Sequence, residues 1–440
     1  MPRQLETKSI KNLLIRGARI IDPSQSYDNH ADLMIENGVI TRLGSNLAAP
    51  QNFELIEARD LVISPGWCDM HVHFREPGRE DEETIATGCA AATAGGFTAA
   101  CPMPNTSPAM DKREIVESVI KKSKETLVEV YPIAAATKGR EGKELSEMTE
   151  LVEAGAVGFS DDGGAIATAE LARRAMEYAS MLGVPIIEHA EEATLDDRGT
   201  MNEGMYSTKL GLPGMPAVAE DIIVARDILL AEYTGAHVHI AHLSSARALE
   251  LIRWAKQRGI HITCEVTPHH FTLTDEAVAV SNYDTNTKMN PPLRSSRDVE
   301  AMTAGLQDGT IDVIATDHAP HSIEEKDAEY AAAPFGIIGL ETALGLMITR
   351  LVKTNLLSLT DVIARVTVAP RRILNLPAVQ IKEGQPANLT FFSPTKAWTV
   401  NKTKSYSKSR NTPFHGWELT GKVFAVYHHQ QLWMNPEFNL

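Results

Sequence analysis

The 440-residue chain is poor in cysteine: Cys68, Cys89, Cys101 and Cys264 form no Cys-x-x-Cys pair and no disulfide-like spacing. That argues against a disulfide framework and for a reducing compartment. Basic side chains are also in deficit, 42 against 57 acidic ones, a net charge of −15. Such a balance speaks against a broad nucleic-acid or anionic-membrane surface, so any anionic substrate must meet a local basic site. No apolar run approaches the length of a membrane span, and Met1-Pro-Arg-Gln-Leu-Glu6 lacks a basic-then-apolar leader. The expected location is cytoplasmic. Internal repeats and low-complexity tracts are absent too. What is present is 43% hydrophobic residues, enough for a large core, either one α/β barrel with an appendage or two domains.

Short apolar, β-branched runs recur through the middle, each followed by a segment of helical periodicity, the pattern of a parallel α/β fold. Strands are expected near 66–73, 97–101, 127–133, 156–160, 184–189, 236–242, 262–266 and 312–317. Eight such units predict a (β/α)8 TIM-type barrel, with a doubly wound open sheet as the rival. The flanks alternate instead. Residues 12–22 and 32–42 read as strands, the second folding about Glu36-Asn37-Gly38, and 388–392 and 422–427 read as strands near the other end. The expected division is therefore a small β domain from 1–62 and 380–440, with the barrel at 63–379. Gly416-Trp-Glu-Leu-Thr-Gly421-Lys422 matches phosphate-loop spacing, but Val423 replaces the required Ser or Thr, and a β turn is expected.

His71-Val-His73 closes the run Gly66-Trp-Cys-Asp-Met-His-Val-His73. Two imidazoles two apart on a strand share a face, suited either to one metal ion or to a packed core. Alternation puts Asp69 on that face and Cys68, Met70 and Val72 on the other. Other strands end in Ser160-Asp161-Asp162-Gly163, Glu188-His189, Ala241-His242 and Thr316-Asp317-His318. Histidines and carboxylates are what a catalytic zinc site uses, and a second metal needs a bridging carboxylate, Asp161 or Asp162. Each residue alone has a plainer explanation, a solvated turn or a satisfied core histidine. Their recurrence at five strand ends, on the reactive face of a barrel, favours a metal centre. His237 and His239 fall on the face opposite His242. His269 and His270 receive no role, and Asp69 is expected to orient a ligand histidine.

The runs Asp69-Met-His71-Val-His73-Phe-Arg75-Glu-Pro-Gly78, Met103-Pro-Asn105-Thr106, Phe159-Ser-Asp161-Asp162-Gly163, Lys288-Met-Asn290-Pro-Pro-Leu-Arg294, Ala315-Thr-Asp317-His-Ala-Pro-His321 and Ala333-Pro-Phe335-Gly336 extend over most of the chain. In these motifs the sequence resembles the bacterial, longer-chain class of dihydroorotase, in the amidohydrolase superfamily. The resemblance implies His71 and His73 on one zinc, His189 and His242 on a second, Asp162 bridging them, and Asp317 as both ligand and proton shuttle. It further implies Arg75, Asn105 and His321 around the substrate carboxylate, with Asn290, Phe335 and Gly336 against the ring. Many relatives bridge their metals through a carbamylated lysine on the fourth strand, and residues 156–166 contain no lysine.

The implied reaction is the reversible cyclisation of N-carbamoyl-L-aspartate to L-dihydroorotate in de novo pyrimidine (UMP) biosynthesis. In the hydrolytic direction a zinc-bound hydroxide attacks the ring amide and Asp317 moves the proton. Alternatives are another cyclic-amide hydrolase of hydantoinase, dihydropyrimidinase or allantoinase type, or a silent scaffold subunit of aspartate carbamoyltransferase. A scaffold is expected to lose metal ligands, which this chain retains. The partners expected are the small-molecule substrate, a second copy in a homodimer, and aspartate carbamoyltransferase, with neither nucleic acid nor membrane.

Overall fold

The computed structural model describes residues 3–196 and 198–438. Eight parallel strands close a barrel: Trp67–Val72, Phe97–Pro102, a third in two pieces (Glu129–Val130 and Ile133–Ala135), Gly158–Ser160, Ile186–Glu188, Val238–Ile240, Ile262–Val266 and Val313–Ile314. Closure of the eighth strand onto the first is made by the His73 N–H, which donates to His318 O at 2.8 Å, beside a parallel bridge between Val72 and His318. The third strand breaks at Tyr131-Pro132 because proline offers no amide hydrogen to the ladder.

Helices Ile85–Gly95, Arg113–Ser123, Ala169–Leu182, Val218–Thr234, Ala246–Gln257 and Ser296–Gln307 lie outside the barrel. Three of them start on a capping hydroxyl: the side-chain oxygens of Thr84, Thr168 and Ser245 accept backbone N–H groups of the first turn. One end of the barrel is plugged by apolar side chains. Ala369, Ile373 and Leu374 pack there with Cys68, Met70, Ala99, Cys101, Ile133, Ile187, Ala241, Val313 and Ala315. Strict alternation along the first strand fails. Cys68 and Met70 join this plug, whereas Val72 packs with Trp67, Phe74 and the surrounding helices. The cause is a pair of register shifts against the second strand, at Trp67/Cys68 and between Asp69 and Val72.

The two termini share one sheet, in the order Thr7–Ser9, Gln431–Met434, Glu418–His428, Leu389–Thr399, Val62–Pro65, Leu13–Asp22, Tyr27–Glu36, Val39–Gly44, with Glu54–Glu57 on Leu13–Asp22. Asn37 (φ 50°) and Gly38 (φ 79°) make the tight hairpin their sequence signals. Val62–Pro65 leads directly into the first barrel strand, so the sheet sets the position at which that strand enters. The Gly416–Lys422 run is not a β turn along its length: strand Glu418–His428 begins two residues after Gly416 and takes up Lys422. No helix among the described residues is long and apolar enough to cross a membrane.

Candidate metal centre

The C-terminal ends of barrel strands one, four, five, six and eight converge on a single buried cluster. Asp162 sits at its middle. Its Oδ1 lies 3.4 Å from His71 Nε2, 3.6 Å from His189 Nδ1 and 3.6 Å from His242 Nε2, and its Oδ2 lies 3.6 Å from His73 Nε2. Asp317 Oδ1 is 2.9 Å from His73 Nε2 and 3.5 Å from His71 Nε2. Three groups of potential ligand atoms result: His71, His73 and Asp162; Asp162, His189 and His242; and His71, His242 and Asp317. Asp162 belongs to two of them. Asp161 faces away, accepting the Thr137 N–H at 2.9 Å and the Thr137 hydroxyl at 2.5 Å.

The donor set fits divalent cations. Asp162 Oδ1 and His71 Nε2 are buried yet make no hydrogen bond, a cost that a coordinated ion removes. Burial would raise the Asp162 carboxyl, but charge on His71 and the close approach of His189 and His242 hold it well below its ordinary range. Burial likewise opposes ionisation of Asp317, and charge on His71 together with the His73 hydrogen bond brings it down to about 2. His189 is held at about 10 in spite of burial, by Asp162 and Glu191. Protons shared in this way between imidazoles and carboxylates are what an incoming metal displaces. Backbone strain is present here too, with positive φ at Arg75 (59°), His242 (31°) and Asp317 (46°).

Carboxylates and an amide orient the rings. His71 Nδ1 lies 2.6 Å from Glu265 Oε1, His73 Nδ1 lies 2.8 Å from Asn105 Oδ1, and His189 Nε2 lies 2.8 Å from Glu191 Oε2. Asp69 does not take the role expected of it. Its Oδ1 accepts the backbone N–H groups of His71 and Thr316, and burial raises its carboxyl to about 7. Glu265 and Glu191 escaped sequence reasoning; the only signal was an acid inside the apolar run Ile262-Thr-Cys-Glu-Val266 and another two residues past His189. His239, set aside for facing away from His242, lies 3.2 Å from Glu265 Oε2 and so stands one carboxylate from His71. His270 is tied to Thr267 and to Pro291 O, while His269 Nε2 is buried without a partner.

A polar wall adjoins the cluster. Arg75 Nε donates to Pro320 O at 3.0 Å and its Nη2 lies 3.2 Å from His321 Nε2, which is 2.7 Å from Phe335 O. Asn290 donates to Glu191 Oε2 at 2.8 Å. Gly336 (φ 152°) has no room for a side chain: a Cβ would sit 2.6 Å from Ala319 O and 2.8 Å from the His321 ring.

Residues 60–248 match the family model described as Dihydro-orotase-like. The dihydroorotase of Geobacter sp. (strain M21) is 52% identical over 417 residues, covering 94% of this chain and 97% of that protein. The dihydroorotase of Syntrophus aciditrophicus (strain SB) is 49% identical over 416 residues, with the same two coverages, 94% and 97%. The chain belongs to the dihydroorotase family. Among solved structures, the L-hydantoinase (dihydropyrimidinase) from Arthrobacter aurescens matches at a TM-score of 0.83 with 21% identity, covering 95% of each chain. A dihydropyrimidinase from Brevibacillus agri NCHU1002 matches at 0.81 with 20% identity, over 95% of this chain and 94% of that one. These likenesses show the barrel-plus-β-domain fold. Within it, this member of the dihydroorotase family is a cyclic amidohydrolase with histidine and aspartate clusters able to bind metal.

Proposed function

We propose that the chain catalyses the reversible cyclisation of N-carbamoyl-L-aspartate to L-dihydroorotate and water, with two zinc ions per chain. The observation that carries this reading is Asp162, one carboxylate facing two pairs of histidines, with Asp317 beside it and the Arg75–His321 wall adjoining. His71 and His73 would hold one ion with Asp317, His189 and His242 the other, and Asp162 would bridge. When bound, zinc supplies Lewis acidity toward the amide carbonyl and makes water nucleophilic near neutral pH.

The chain's own residues do the rest. Asp317 is ionised at neutral pH, so in the hydrolytic direction it takes a proton and delivers it to the departing ring nitrogen. In the biosynthetic direction it removes the proton from the ureido nitrogen. Arg75 offers a planar fork for the carboxylate that stays outside the reaction, with His321 and the Asn105 amide beside it. Asn290 and the Phe335-Gly336 backbone would meet the ring. The division into a small β domain (1–62 and 380–440) and a catalytic barrel (63–379) belongs to this proposal. So do a cytoplasmic location and two partners, a second copy of the chain and aspartate carbamoyltransferase.

The test is ultraviolet loss of L-dihydroorotate, run beside dihydrouracil, hydantoin and allantoin, before and after chelation and zinc add-back. Zinc-dependent turnover selective for dihydroorotate is expected. Preference for a ring without a carboxylate, or turnover indifferent to chelation, refutes the proposal.

A further inference from the structure

We propose that Glu82 is a positioning residue for recognition of the substrate carboxylate, holding Arg75 and His321 in the relative orientation that receives it. The inference rests on the reading of Arg75 and His321 given above. Glu82 is 1% exposed. Its Oε1 lies 2.6 Å from His321 Nδ1 and 3.1 Å from Arg79 Nη2, and its Oε2 lies 3.2 Å from Arg75 Nε. A carboxylate this deeply buried is tolerable only when paired and hydrogen-bonded, and these three donors supply the pairing.

The two contacts aim the recognition groups. With the Nε edge of Arg75 committed to Glu82 and Pro320 O, only the terminal nitrogens of the guanidinium remain for a ligand. With Nδ1 of His321 turned to Glu82, the opposite ring nitrogen points at Arg75 Nη2 and Phe335 O, the place where carboxylate and ring are expected to meet. Glu82 is itself held on both sides of its peptide. Its N–H donates to Arg79 O at 3.0 Å, and its carbonyl accepts the Ser409 hydroxyl at 2.7 Å from the segment leading into the terminal sheet.

The sign of the effect separates positioning from simple electrostatics. A negative charge beside an anion site repels the anion, so a Glu82 that acted only through its charge would, on neutralisation, let substrate bind more tightly. A Glu82 that aims Arg75 and His321 gives the opposite result. KM and kcat for L-dihydroorotate are measured for E82Q, R75A and E82Q/R75A, each with its bound-metal content. For E82Q the expected outcome is a KM raised about tenfold or more with kcat within about threefold, the scale of one charged hydrogen bond lost. The double variant is expected to bind little worse than R75A, because both changes strike one unit. If E82Q is too unstable to assay, E82D keeps the charge but draws it back by one methylene, and is expected to raise KM in the same direction. An unchanged or lowered KM in the Glu82 variant while R75A raises it, or a fall in kcat alone, overturns the inference. If R75A leaves KM unchanged, the carboxylate assignment beneath it fails instead.

Discussion

Replacing Glu265 by glutamine tests how the first metal site is held. Its carboxylate accepts His71 Nδ1 at 2.6 Å and the His242 backbone N–H at 3.2 Å on Oε1, and lies 3.2 Å from His239 Nε2 through Oε2. A glutamine with its carbonyl oxygen toward His71 keeps the first two contacts. Its amide then faces His239 Nε2, which can accept when the ring carries its proton on Nδ1 and donates it in a hydrogen bond to Thr263 Oγ1, 2.9 Å away. Each group that now bonds Glu265 keeps a partner, so E265Q is expected to fold. What it loses is the negative charge that makes His71 a stronger ligand, a change worth about 10–100-fold in metal affinity, or about 1.4–2.7 kcal/mol. The alanine variant instead strands three buried donors at about 1–3 kcal/mol each, a total of about 3–9 kcal/mol. Against a typical stability of about 5–15 kcal/mol, E265A is expected to accumulate poorly or not at all as folded protein. Zinc affinity is measured by competition with a chromogenic chelator, and folding by urea denaturation of the metal-free chains. An E265Q protein that folds and binds zinc as tightly as wild type refutes the argument, as does an E265A protein of wild-type stability.

Two further outcomes are expected. Asp317→Asn preserves an oxygen at 2.9 Å from His73 Nε2 but cannot take a proton, so it should retain zinc and lose turnover by about 10²-fold or more; near-wild-type activity would remove Asp317 from proton transfer. Burial, and then charge on the neighbouring His261, lowers His237 to about 3, below its ordinary 6.5. The unfolded chain therefore takes up this proton first on acidification, and the stability owed to neutral His237 is lost as pH falls from about 6.5 toward 3. Urea midpoints at pH 7 and pH 5 should show wild type losing more stability than H237Q, and equal losses would contradict the shift.

Much of the barrel could be read from sequence because its strands are buried on both faces and appear as apolar runs, as in Val313–Ile314 and Ile133–Ala135. The details that escaped are those that depend on a neighbour. Alternation along Trp67–Val72 is broken by register shifts against Phe97–Pro102, which nothing in the first strand announces. The candidate ligands were legible because each stands at the end of a barrel strand, His71 and His73 sharing the first. Glu265 was not, since it meets His71 across 194 positions of chain. Glu82 is equally hidden, in the run Arg79-Glu-Asp-Glu-Glu83 where four acids follow one another; burial sets Glu82 and Glu83 apart from the other two, and only the contacts to Arg75 and His321 single out Glu82.

Asp161 and Asp162 show how far local pattern reaches and where packing takes over. Sequence alternation requires that only one of two adjacent strand-end aspartates face inward, without saying which. The choice is made by Thr137, past the end of the third strand, whose N–H and hydroxyl both donate to Asp161 and so draw that side chain outward from the cluster. This bond also ties the loop after the third strand to the end of the fourth. With Asp161 fully employed, the chain direction leaves Asp162 pointing at four imidazoles, where its Oδ1 finds no hydrogen bond of its own. A carboxylate satisfied by protein donors is a poor bridge, because its lone pairs are spent. One held in place by its neighbour, with an oxygen left unpaired among histidines, is fitted to share itself between two cations.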